Sequence, residues 1–400
     1  MTIKGGIILF EIASALLLAK IFDYIFERLK QPIVIGEILA GIILGPYIIG
    51  RYSGMNISLF GSEIYTFQFN LASPEFHALA FLGITILLFL SGLETEPEDI
   101  KNAGKGGFIT SILDVSVAFL FGYIVGHTLG FPTLQSLAIG AILTATSVGV
   151  TVRTLMDLDR LHTKVGAFIL TIAVLDDVLG ILILSIIVGK GSILFMGIKV
   201  ALFFVIAFIL GIKFIPYIID ISSRIHIRYI LLSIALTLCF LYGALAESLG
   251  LAAITGAFIA GLTIGTTPQS RRILDYIREL GHSFLIPLFF VWVGASFDFS
   301  ALKDVGLLVL LFIPAAFIGK IIGCTIGAKI SGFSNLEAIQ VGVGMIPRME
   351  VALVVVATAI SLGVFTGDLA HQMLAATVLL VITSAIVTPI LLKILFQKER

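Results

Sequence analysis

The chain has 400 residues, 58% hydrophobic and 12% charged, with a formal net charge of zero. Its mean hydropathy of +1.14 exceeds what a soluble core needs, which makes it a polytopic membrane protein. The balanced charge argues against nucleic acid as a partner. Cys239 and Cys324 lie in apolar runs, so neither a disulfide framework nor a metal cluster is implied.

In chain order, thirteen candidate spans are predicted from apolar length and from Gly, Pro and charge breaks. They fall near 6–28, 33–50, 76–95, 107–129, 134–155, 163–188, 193–219, 228–249, 251–266, 283–297, 303–329, 335–362 and 370–396. Glu11 interrupts the first apolar turns and no small-residue cleavage site follows, so the first span reads as retained. The ninth and tenth are short enough to be half-spans, and 51–73 is polar enough for an external loop with a short hairpin. Residues 268–282 read as an amphipathic helix lying at the membrane surface. The chain ends soon after its last apolar run, so no soluble regulatory domain is expected to follow.

Basic residues set the orientation. Loops after odd-numbered spans hold Arg28, Lys105, Arg160, Lys164, Arg271 and Arg278 among others, whereas the opposite loops and the N-terminus hold Lys4, Arg51, Lys190 and Lys303. The positive-inside rule then puts the N-terminus outside and the C-terminus in the cytoplasm.

An internal repeat is legible. Gly36-Glu-Ile-Leu-Ala-Gly-Ile-Ile-Leu-Gly45 in span two aligns with Gly256-Ala-Phe-Ile-Ala-Gly-Leu-Thr-Ile-Gly265 in span nine. An offset of seven spans is odd, so the copies face opposite ways, as in the inverted repeats of secondary transporters. Chance matching of small residues in Gly-rich helices, where such spacing is common packing, is the alternative. The repeat pairs spans five and six with spans twelve and thirteen. Span five holds the polar run Leu143-Thr-Ala-Thr-Ser-Val-Gly149, and span twelve holds Gly342-Val-Gly-Met-Ile-Pro-Arg-Met-Glu350. Taken alone, Thr144, Thr146 and Ser147 would bond back to their own helix. Opposite a proline break at the equivalent place, they suggest two crossed, discontinuous helices in a core.

Asp176, Asp177, Lys320, Arg348 and Glu350 fall near the middle of their spans, and Asp114 nearer the cytoplasmic third of span four. A charged side chain at a bilayer centre costs about 2.5–3.5 kcal/mol on insertion scales. Four carboxylates against two bases leave the region net negative, which suits a cation. Adjacent aspartates resist joint ionisation, so a proton and a cation can compete for Asp176 and Asp177. Arg348 and Glu350 are two apart and cannot face each other. Lys320 is the base available to a carboxylate, and a buried structural pair is the alternative for Arg348.

Gln31-Pro-Ile-Val-Ile-Gly-Glu-Ile-Leu-Ala-Gly-Ile-Ile-Leu-Gly-Pro46 resembles the opening signature of the monovalent cation:proton antiporters of the Kef and NapA branch, with the NhaA-type fold. Leu87–Glu94, Ala246–Leu262 and Met345–Val351 resemble its later signatures. The resemblance implies a homodimer and a mobile ion-translocating core. Dimerisation helices 1–3 would occupy 1–100 and core helices 4–6 would occupy 101–190. A linker with dimerisation helices 7–10 would occupy 191–300, and core helices 11–13 would occupy 301–400. It makes Asp177 the ion-binding carboxylate, pairs Asp176 with Lys320 in the proton-loaded or empty state, and puts Thr144, Thr146 and Ser147 at the crossing. Paired aspartates resemble the electrogenic exchangers. Two departures stand out: no nucleotide-binding domain of the Kef type, and Met349 where the family often has Gly.

The expected activity is exchange of Na+ or Li+ for H+ across the cell membrane, with no cofactor and the lipid bilayer as surroundings. A K+/H+ exchanger of the same fold is the alternative. An ion channel would need a continuous pore ring. An intramembrane aspartyl protease would need its aspartates on facing helices sharing one water, not adjacent on one helix. No enzyme activity is therefore expected.

Overall fold

The computed structural model describes residues 4–29, 31–59, 62–66, 68–71, 73–95, 97–188, 193–225, 227–249, 251–296, 306–361 and 363–398. The chain begins with α1 (Lys4–Arg28) and α2 (Ile33–Leu44), then the antiparallel hairpin β1 (Asn56–Leu59) and β2 (Ser62–Thr66). Next come α3 (Pro74–Glu94), α4 (Pro97–Thr128), α5 (Thr133–Thr144), α6 (Gly149–Asp157) and α7 (Lys164–Val188). The second half runs α8 (Ile193–Lys213), α9 (Ile215–Arg224), α10 (Ile230–Ser248), α11 (Ala253–Gly265), α12 (Ser270–Leu280) and α13 (Ile286–Ala295). It closes with α14 (Gly306–Ile330), α15 (Asn335–Gly344), α16 (Glu350–Ser361) and α17 (Gly367–Gln397).

Each predicted span is mainly helical among the described residues, and the polar 51–73 segment carries the expected hairpin. Eight described helical runs are long and apolar enough to cross a membrane, with Ile33–Leu44, Ala253–Gly265 and Val351–Ile360 as shorter apolar helices. The helix starts follow local chemistry. Ser73 accepts from the Phe76 amide ahead of Pro74 at the start of α3. Ser334 and Glu337 form a reciprocal capping box at α15.

Two elements differ from expectation. The predicted surface helix at 268–282 is the first part of a continuous run, Ser270–Ala295, in which one π turn (Gly281–Leu285) joins α12 to α13. Ile273 and Ile277 are buried while Arg271 and Arg272 are exposed. That amphipathic pattern fits a helix leaving the membrane as well as one lying along it. The tenth span is therefore the end of a long helix, not a half-span. The seventh span breaks at Phe214, ahead of Pro216, into α8 and α9.

The helices fall into two packing groups. One joins α1, α2, α3 and α8 to α13; the other joins α4 to α7 with α14 to α17. Half-helix α6 belongs to the second group and also touches α2 and α3.

The repeat is real in the packing. A Cβ on Gly41 would lie 2.0 Å from the Val291 carbonyl oxygen of α13; on Gly261, its counterpart, 2.2 Å from that of Phe89 on α3. The reciprocal glycines behave alike: Gly294 abuts Ile38 and Gly92 abuts Phe258, at 2.0 and 2.1 Å. Likewise Gly36 meets the backbone of Phe22 in α1 and Gly256 that of Tyr242 in α10. Two constant registers relate the pairs, one for α1–α2 with α10–α11 and another for α3 with α13, so α1 to α3 and α10 to α13 build the frame by the same contacts with roles exchanged. Further on, Gly140 packs on Phe119 and Gly342 on Ile321, which extends the second register through α4–α5 and α14–α15. The two halves form inverted-topology repeats.

Substituting Gly41 or Gly261 by Ala should therefore lower the thermal unfolding temperature of the detergent-solubilised protein. Forced overpacking typically costs about 1–3 kcal/mol. Gly104→Ala, where a Cβ meets nothing within 4 Å, should leave the melting curve in place.

Candidate functional site

Two broken helices cross in the second packing group. The chain leaves α5 after Thr144 and re-enters as α6 at Gly149; it leaves α15 after Gly344 and re-enters as α16 at Glu350. Thr146 and Ser147 are weak helix formers whose hydroxyls compete for backbone partners. Pro347 lacks an amide and pushes its predecessor away from helix. The two non-helical stretches are joined directly, the Ser147 amide donating to the Pro347 carbonyl at 2.9 Å.

Arg348 closes the crossing. Its guanidinium donates to the carbonyls of Leu143 (2.8 Å), Met345 (3.3 Å) and Ala316 (3.3 Å), and to that of Ile346. Its amide donates to Ser384 Oγ on α17 at 3.1 Å. The carbonyl ends of both α5 and α15 carry partial negative charge, and one fully buried cation answers both. The partner that Arg348 needs is thus backbone, not a carboxylate.

Lys320 on α14 is the second buried cation, with no exposure to solvent. Its ammonium contacts Asp114 on α4, lies 3.0 Å from Asp176 Oδ2 on α7, and donates to Thr146 Oγ1 at 2.5 Å. Thr146 Oγ1 in turn donates a hydrogen bond to Asp176 Oδ2 at 3.0 Å, and Ser111 Oγ donates to Asp176 Oδ1 at 2.5 Å. All three ammonium donors thereby find an oxygen. Asp176 is 3% exposed and Asp114 fully buried, so the centre is shut off from solvent in this conformation.

The structure sorts the residues expected here. Asp176, Lys320 and Thr146 meet, and Asp114, expected nearer the cytoplasmic third of span four, joins them. Thr144 bonds back to Ala141 at 2.7 Å, as a helical threonine does. Ser147 contributes its backbone to the crossing. The side chains of Asp177 and Glu350 lie outside the described residues. Ser111 and Ser384 were not anticipated. Ser111 stands one turn before Asp114 on α4, a spacing that could have marked it; nothing in span thirteen marked Ser384.

A polar cavity of about 480 Å³ opens at one end of the seam between the packing groups, lined by Lys20, Asp23, Glu94, Arg153, Asp157 and His282 among others. Two gaps of about 20 and 30 Å³ lie elsewhere along the seam. The first is bounded by Leu88, Val148 and Phe258, the second by Trp292, Met349 and Leu353. Both are lined mainly by apolar side chains.

A profile described as sodium/hydrogen exchanger, transmembrane, matches residues 13–398. The Na(+)/H(+)-K(+) antiporter GerN of Bacillus cereus is 30% identical over 392 residues, covering 97% of this chain and 96% of GerN. A Na(+)/H(+) antiporter of Enterococcus hirae is 29% identical, with 94% of each chain covered. The solved structure of the sodium proton antiporter MjNhaP1 from Methanocaldococcus jannaschii aligns over 100% of this chain and 98% of its own, with a TM-score of 0.71. At 18% identity that likeness is one of fold. The profile match over nearly the whole chain, together with these full-length relatives, shows that the protein belongs to the sodium/hydrogen exchanger family.

Proposed function

We propose that the protein exchanges Na+ or Li+ for H+ across the cell membrane by alternating access, with cation and proton competing for Asp176 and Asp177. The observation that carries this reading is the buried ammonium of Lys320 held jointly by Asp114 and Asp176 at the crossing. A small cation arriving at Asp176 would find carboxylate and hydroxyl oxygens, from Asp176, Thr146 and Ser111, of the kind hard cations prefer. It cannot share Asp176 with the ammonium at close range, because like charges in a water-poor site repel strongly. Asp114 then has a defined task. It keeps Lys320 paired when Asp176 turns to the cation, so that no buried charge is left alone. Asp177, about 100° further round α7, is the second ion-binding carboxylate. Arg348 is the fixed counter-charge of the crossing and does not travel between partners; Glu350 is assigned to charge compensation from sequence alone.

The frame of α1 to α3 and α8 to α13 serves as the dimerisation unit of a homodimer, and the other group moves against it. The N-terminus lies outside and the C-terminus in the cytoplasm. GerN carries K+ in its name as well as Na+, which gives K+ a place in the test. An aspartyl protease is disfavoured: Asp114 and Asp176 do sit on facing helices, but an ammonium stands between them.

Purified protein in proteoliposomes with a trapped pH dye and an imposed pH gradient tests the proposal. Na+ or Li+ should collapse the gradient, and Asp177→Asn should abolish the response. Asp114→Asn should slow it by tenfold or more, on the order of the rate change expected when a buried charge loses its partner. A response to K+ alone would keep the exchange and change the cargo; silence toward every cation between pH 6 and 9 would refute it. Arg348→Ala should cost stability directly, each charge-assisted bond being worth about 1.5–3 kcal/mol. Differential scanning of the solubilised variant reads that loss, and Arg348→Lys should recover part of it.

A further inference from the structure

We propose that Glu37, Arg153 and Asp157 form a one-sided latch that holds the ion-carrying helices against the frame in the conformation seen here, and so sets which face of the membrane the site favours. The proposal rests on alternating access as proposed above and adds the residues that position its two states.

Half-helix α6 carries the crossing at its start and two charges toward its end. Arg153 is 4% exposed, with its guanidinium 3.6 Å from Glu37 on α2, in contact with His282 in the π turn, and 3.2 Å from Asp157 one turn on. Asp157 in turn accepts from the Ile33 amide at 3.0 Å, at the first residue of α2. A carboxylate there is favoured by the positive end of the helix. Each of these ties except the Arg153–Asp157 pair runs from the moving group to the frame. Glu37 is fully buried, and neither of its oxygens has a hydrogen-bond partner among the described residues. Its burial is balanced by charge at 3.6 Å and not by a bonded network, so it depends on Arg153 staying where it is.

The inverted repeat gives these residues their meaning. In the register that pairs Gly36 with Gly256 the counterpart of Glu37 is Ala257, and in the one that pairs Gly140 with Gly342 those of Arg153 and Asp157 are Val355 and Ala359. A carrier built from two equivalent inverted halves reaches its opposite-facing state by exchanging their conformations, and perfect equivalence would leave the two states equal in energy. Charges present in one half alone tilt that balance, because they are paired in one state and separated in the other. The latch also borders the cavity of about 480 Å³, at the end read as cytoplasmic, so Arg153 and Asp157 would meet water as soon as the seam opens.

Cysteine accessibility tests the latch without any transport measurement. In a Cys239→Ala, Cys324→Ala background, single cysteines replace Met156, which lines the cavity, or Ser296, which borders an apolar gap elsewhere along the seam. A hydrophilic maleimide labels the detergent-solubilised protein. Glu37→Ala should lower the ratio of Ser296→Cys to Met156→Cys labelling by about tenfold or more, the scale on which losing a buried pair from one of two states shifts a population. The milder Asp157→Asn should move it the same way, and so should Glu37→Gln, which keeps the shape of the side chain and loses its charge. An unchanged ratio in Glu37→Ala and Asp157→Asn would overturn the latch. A shift in Glu37→Ala that is absent from Glu37→Gln would overturn it too, since Glu37 would then act through packing. If the parent labels as expected but exchanges no cation, the transport reading fails while the latch stands.

Discussion

An ammonium buried inside a membrane-spanning block must be surrounded by anions or it will not stay charged, and Lys320 is such a group. That requirement organises what lies around it. It brings Asp114 from α4 and Asp176 from α7 to one point on α14, and it needs an oxygen from a chain that is not helical there. Thr146 can supply that oxygen because α5 has ended at Thr144. Ending a helix at that depth leaves carbonyls without partners, which is a second cost, and Arg348 offsets it by reaching three chain segments at once. Breaking two helices and burying two cations are therefore one solution: each makes the other tolerable.

The frame and the charged centre treat the repeat differently. In the frame, backbones touch through reciprocal glycines, and each contact occurs twice. At the centre the two halves diverge. In the register that pairs Gly140 with Gly342, Asp114 corresponds to Ala316, Lys320 to Ala118, and Thr146 to Arg348. One half provides the carboxylates and a hydroxyl, the other the two cations. Symmetric packing makes the frame, and asymmetric charge in the group packed against it makes a site.

How much of this could be read from the chain depends on where the information lies. The crossing was legible because Pro347 and the Thr146–Ser147 pair are local signals, and the repeat was legible because Gly36, Gly41 and Gly45 recur at fixed spacing. That Lys320 answers a carboxylate followed from charge economy inside the membrane, and that the carboxylate is Asp176 followed from the family resemblance. Asp114 reads as nearer the cytoplasmic third of span four because the apolar stretch that locates the span starts well after Pro97, where α4 begins, and the helix midpoint lies correspondingly closer to Asp114. The partners of Arg348 were out of reach for another reason: they are carbonyls, which every residue has, so no side chain announces them. Ser384 is hidden in the same way, as its oxygen matters only once α17 folds beside the break.

The bond from Ser147 to Pro347 and the grip of Arg348 on α5, α14 and α15 weld the crossing into a single piece. A site held in that way has little freedom to reshape itself around its occupant. If the block moves as one piece, its speed is set by sliding friction against the frame and the surrounding lipid, which is common to every passenger. Ions of different radius would then differ in how readily they board and hardly at all in how fast they are carried.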